Sequence, residues 1–143
     1  MFSITSRLRF NRIFKPVNET HCRYRVVLGS AGSGKSVNVA QDLILKLSDP
    51  KYAGANLLVI RKSEGTNRYS TFAELQAVIF RMCGEYWEDF WIINSSRLMI
   101  TSKITGNSII FRGVNDKKQR EKLKSITFPT VSYTHLTLPT TPY

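Results

Sequence analysis

Eight consecutive residues, Gly29-Ser30-Ala31-Gly32-Ser33-Gly34-Lys35-Ser36, satisfy the spacing G-x-x-x-x-G-K-[ST] at every fixed position. Each type has a physical task in holding a polyphosphate. Glycines 29, 32 and 34 let the backbone curl until its N–H groups meet phosphate oxygens without a Cβ in the way. Lys35 brings a cationic point charge to the β- and γ-phosphates, the catalytic contribution expected of this segment. Ser36 offers a hydroxyl to Mg²⁺, which bridges the same phosphates. The chemistry implied is binding of a nucleoside triphosphate, ATP with Mg²⁺, at Gly29–Ser36.

Such a loop works only between a strand and a helix. Tyr24–Leu28 is a short apolar run ending at a glycine, which predicts a buried strand. Ser36–Leu47 follows as a helix, with Val37, Ala40, Ile44 and Leu47 on one face and Asp49-Pro50 as its stop. The loop then ends at a helix N-terminus, where unpaired N–H groups attract anions. Asn56–Ile60 predicts a second buried strand, and strand, helix and strand together predict a βαβ unit in a parallel sheet. Thr71 with Glu74 reads as a capping box opening a helix whose apolar face is Phe72, Leu75, Val78, Ile79 and Met82, closed by Gly84. Leu98–Thr101 and Ser108–Arg112 predict a hairpin around Gly106-Asn107. Asp116 and Gln119 cap a short basic helix through Lys124. The fold class expected is α/β, a P-loop NTPase with a mostly parallel sheet flanked by helices and incomplete at its C-terminus.

The chain has 143 residues, with 21 Lys and Arg against 10 acids, a net charge of +11 and a pI near 10.0. That balance favours a polyanionic partner, since each neutralised phosphate releases a counterion. No apolar run approaches the ~18 residues of a membrane span. Cys22 and Cys83 lack metal or redox spacing and fit a reduced setting. The first segment, residues 1–22, is read as a basic arm rather than a helix, because Pro16 and Asn18 break any long period. Residues 23–129 are expected to form a partial P-loop ATPase domain. Every charged side chain lies at or before Lys124. Residues 130–143 (TVSYTHLTLPTTPY) show no useful periodicity and resemble a translated transposase-type sequencing adaptor, so they are expected to be a non-native tail.

Hydrolysis needs an acid at a strand end to hold Mg²⁺ or polarise water. No run of four apolar residues is followed by Asp or Glu: Ile92-Ile93 leads to Asn94, and Ser108–Phe111 leads to Arg112. The chain as it stands is therefore expected to bind nucleotide without the parts to turn it over. Arg61, just past a strand, sits where open α/β sheets bind ligands, but a solvated strand cap is an equal reading. Lys117, Lys118, Arg120, Lys122 and Lys124 could meet DNA phosphates or form a solvated face. Tyr86, Trp87, Phe90 and Trp91 could stack on bases, although aromatics at this density read first as core. His21 and His135 have no ligand partners.

From about Arg23 to Phe128 the sequence resembles the N-terminal ATPase domain of the large terminase subunit of tailed phages. The resemblance rests on the ordered segments YRVVLGSAGSGKS, LLVIRKSEGTNRYSTFAEL and GNSIIFRGVNDKKQREKLKSI. It implies a hydrolase that couples ATP hydrolysis to translocation of double-stranded viral DNA into the procapsid. It also implies a portal protein and a small terminase subunit as partners, a homo-oligomeric ring, and a site in the host cytoplasm docked on the procapsid. Many members carry an arginine inside the loop, where Ser30, Ala31 and Ser33 stand here. The family's acidic strand follows the segment matching Leu123–Ser125, and its nuclease domain lies beyond this chain. The competing readings are another P-loop nucleic-acid translocase or helicase-like ATPase, and a non-catalytic nucleotide-binding fragment.

Overall fold

β-Branched and aromatic residues in Asn56–Arg61 (β1) and Ser108–Gly113 (β4) give two six-residue strands that pair in parallel, Leu57 opposite Ile109 and Val59 opposite Phe111. The computed structural model describes residues 8–30, 32–124 and 129–134. Two four-residue strands, Trp91–Asn94 (β2) and Met99–Ser102 (β3), complete an antiparallel meander with β4. Pro129–Thr134 (β5) pairs in parallel with the other edge of β1. The order is β2-β3-β4-β1-β5, so the sheet is mixed rather than mostly parallel.

The helices among the described residues are Lys15–Glu19 (α1), Lys35–Ser48 (α2), Glu64–Asn67 (α3), Ala73–Cys83 (α4), Trp87–Phe90 (α5) and Lys117–Lys124 (α6). The helices α2 and α4 contact each other. Ala40, Ile44 and Leu47 join Leu75, Val78 and Ile79 in one buried cluster with Leu57, Val59, Trp91, Ile100, Ile109 and Phe111. Phe72 meets Phe111 edge to face at 5.1 Å between ring centroids, the geometry favoured by the ring quadrupoles. The hairpin turn is fixed to the end of α2 by Asn107. Its amide donates to the carbonyls of Leu47 and Tyr52, and its oxygen accepts from the N–H of Gly54. Val37, expected on the apolar face of α2, is exposed.

Several expectations are corrected. Tyr24–Leu28 forms no strand, and Tyr24, Val26 and Leu28 stand exposed. β1 is flanked on its two edges by β4 and β5, so Tyr24–Leu28 does not pair with it and the βαβ unit expected through α2 does not form. The arm is partly helical: a 3-10 turn over Arg12–Phe14 runs into α1, with Pro16 in the first turn, where its missing N–H costs nothing. Thr71 caps no helix. It lies in a π turn, Arg68–Phe72, between α3 and α4, and its hydroxyl donates back to Asn67.

The capping expected at α6 is present, with Gln119 N–H donating to Asp116 and Asn115 N–H to the Gln119 side chain. Thr130–Thr134 takes part in β5, where the sequence offers no strand signal; residues 135–143 lie outside the described residues.

Candidate phosphate-binding site

The candidate loop joins the segment ending at Leu28 to α2. Ser33 N–H donates to the Ser30 carbonyl and tightens the turn. Gly32 and Gly34 take φ of 77° and 83°, left-handed conformations that a side chain disfavours. Gly34 is the N-cap of α2 and contributes no side-chain bond, so the positive end of the helix is directed at the loop.

Lys35 is half-buried and turned into this curl. Its ammonium donates to the carbonyl oxygens of Gly29 (2.6 Å) and Ser30 (2.8 Å) and to the Ser33 hydroxyl (2.9 Å). Gly29 leaves room for that approach: a Cβ there would lie 3.0 Å from Ser33 Oγ and 3.3 Å from Lys35 Nζ, and those side chains would have to give by a few tenths of an ångström. Oxygen acceptors have thus gathered a cation, and an ammonium held in this way can exchange neutral carbonyls for phosphate oxygens, which bind it more strongly. Ser36, in the first turn, is half-buried. Gly29, Ser30, Gly32, Ser33, Gly34, Lys35 and Ser36 thus line one turn and the start of α2. Ala31 lies outside the described residues.

Features that the sequence reading did not single out brace the loop from the N-terminal side. Phe14 is buried with its ring 3.7 Å from where a Gly34 Cβ would be. Asn18 and Asn38 exchange two amide hydrogen bonds of 2.9 Å each. Gln41 donates to the Arg9 carbonyl at 2.9 Å. Asn38 and Gln41 are both buried on α2. Two amides three residues apart beside an apolar face were the available signal for a polar partner there.

Other candidates fall elsewhere. Arg61 is buried, not a solvated cap, and its guanidinium donates to the Ser70 hydroxyl. Lys117, Lys118 and Arg120 are exposed on α6; the side chains of Lys122 and Lys124 lie outside the described residues. Trp91 belongs to the core, Trp87 and Phe90 pack against it, and Tyr86 is exposed. His21 is exposed, His135 lies outside the described residues, and no group of three or more His, Cys, Asp or Glu among the described residues could hold a metal. No described helix is long and apolar enough to cross a membrane.

The phage terminase large subunit family matches residues 21–137. The large terminase subunit of Bacillus phage SPP1 is 34% identical over 110 residues, which cover 76% of this chain and 24% of that protein. The chain thus spans about a quarter of the length of that relative. No solved structure matches it significantly. With 117 of its residues inside the family match, Gly29–Ser36 included, the chain belongs to the phage terminase large subunit family.

Proposed function

We propose that Gly29–Ser36 is the ATP site of a DNA-packaging motor and that this chain is its nucleotide-binding portion. The observation that carries this reading is the Lys35 ammonium, held by three oxygens inside a glycine-rich curl at a helix N-terminus. Loop amides and the α2 dipole would attract the phosphates, and Lys35 would move from its carbonyls to the β- and γ-oxygens. Bound there through Ser36, Mg²⁺ would supply neutralisation of the same phosphate charge.

Turnover is assigned to the full-length protein rather than to these residues. The five described strands end at Arg61, Asn94, Ser102, Gly113 and Thr134, none of them a carboxylate. Family membership supports extending the proposal to coupling of hydrolysis to translocation of double-stranded viral DNA, with portal, small subunit and a ring of copies in the host cytoplasm. The +11 charge suits a polyanionic track.

The test is calorimetric titration of the chain with ATP, ADP and AMP in the presence of Mg²⁺. A grip on the β- and γ-phosphates predicts the order ATP, ADP, AMP, with AMP weakest by about a hundredfold. Equal affinity for all three would reject the site.

A further inference from the structure

We infer that Asn18 is a positioning residue for the phosphate loop, acting through Asn38; this rests on the nucleotide-binding reading above. The segment from Arg9 to Asn18 lies along α2 and meets it at four residues. Phe14 packs beside Gly34, at the mouth of the helix. Asn18 meets Asn38 one turn further in. The Asn18 carbonyl also accepts from Lys46 at 3.3 Å, and the Arg9 carbonyl accepts from Gln41.

The reciprocal amide pair has the strongest consequence. Asn38 is 3% exposed, and its N–H donates to the Gly34 carbonyl at 3.0 Å, the first intrahelical bond after the loop. A buried amide that loses its partner must either remain unsatisfied or rotate in search of another. Rotation of Asn38 disturbs the first turn of α2, and with it the direction of the amides on which a phosphate would rest. Phe14 limits the alternative movement, because the ring occupies the space beside Gly34. The arm is thus a strap that holds the helix N-terminus in its phosphate-accepting pose before any ligand arrives, so ordering cost is not charged to binding.

The test is Asn18→Ala in the whole chain, read in two ways. Native-state hydrogen exchange is expected to quicken about tenfold at the amides of Asn38–Gln41, with β1 and β4 amides unchanged, and affinity for Mg–ATP is expected to fall about tenfold. A structural defect alone would quicken exchange everywhere and leave affinity intact, which would overturn the proposal. Asn18→Ala and Asn38→Ala together are expected to be no worse than either alone; additive losses of affinity would also overturn it. If the unmodified chain binds no nucleotide, the phosphate-site reading fails. Exchange at Asn38–Gln41 then decides the strap by itself, and unchanged rates would refute it.

Discussion

The ammonium of Lys35 lies 2.6 Å from the carbonyl oxygen of Gly29, six residues behind it in the chain. That bond closes the loop on itself, so the segment meets its ligand already curled. Removing the cation takes away both the closure and the charge. Lys35→Ala is expected to weaken Mg–ATP binding by about a hundredfold, the worth of charge-assisted bonds, while the unfolding midpoint moves little. Isothermal titration beside a urea denaturation curve separates the two effects. Undiminished affinity would remove the loop from consideration.

Gly34 offers a second probe of the same loop that leaves Lys35 in place. Its φ of 83° places any Cβ in a left-handed conformation, and the nearest atom, Phe14 Cε2, stands at an ordinary 3.7 Å. The cost of Gly34→Ala is therefore backbone strain of about 1 kcal/mol rather than a clash. Relief of that strain would unwind the N-cap of α2, so binding is expected to suffer more than stability. The same pair of titrations reads this, and a variant that loses stability alone would contradict it.

Asn67 joins the two central strands. It is fully buried, donates to the Arg112 carbonyl at 2.7 Å and to the Val59 carbonyl at 3.4 Å, and accepts from the Thr71 hydroxyl at 2.5 Å. Asn67→Ala leaves buried acceptors without a donor and is expected to cost about 1–3 kcal/mol in urea denaturation. Asn67→Asp is expected to cost more at neutral pH, because a carboxylate cannot donate to those carbonyls and brings a buried charge toward them. An Asp variant as stable as the parent would show that the strands do not depend on this amide.

Such amides mark the limit of what the residue pattern reveals. The glycine-rich turn before α2, α2 itself, β1, the β3–β4 hairpin and the cap of α6 were all legible, since each depends on local spacing or turn chemistry. Tyr24–Leu28 has the composition of a strand and is not one: β1 is flanked by β4 and β5, and strand composition alone does not supply a pairing partner. β2 was hidden in the aromatic stretch beginning at Tyr86, where four residues give too short an alternation to read. Asn18, Asn38 and Asn67 act through partners as many as 45 residues away, and an asparagine in a sequence carries no trace of its partner. Thr71 shows a different limit: its spacing to Glu74 fits a cap, but Asn67, four residues behind it, claims the hydroxyl.

The two cysteines are expected to behave differently toward a thiol reagent. Cys22 is exposed, whereas Cys83 is buried in the core. Burial pushes the Cys83 thiol above its ordinary range, so the reactive thiolate is scarcer. The Trp91 indole N–H opposes that shift, although it reaches no acceptor in hydrogen-bond geometry. Mass spectrometry after brief native alkylation should find one label, at Cys22, and two after denaturation. Prompt native labelling of Cys83 would mean that the core around α4 opens readily.

Glu74 supplies a pH-dependent prediction with a definite sign. Its carboxyl is raised above the ordinary value of 4.5, chiefly by burial, while Arg81 pulls it back down. The unfolded chain gives up this proton more readily than the folded one does. Stability from this group is therefore complete below the unfolded pKa and lost as pH rises through the folded one. Glutamine has nearly the shape of the protonated acid and never ionises. Glu74→Gln is expected to raise the thermal midpoint at about pH 7 and leave it nearly unchanged at about pH 3. The sign follows from the order of the two causes: if attraction to Arg81 outweighed burial, the substitution would destabilise the chain near neutrality instead. Melting curves of both proteins across that range decide which of the two governs this side chain.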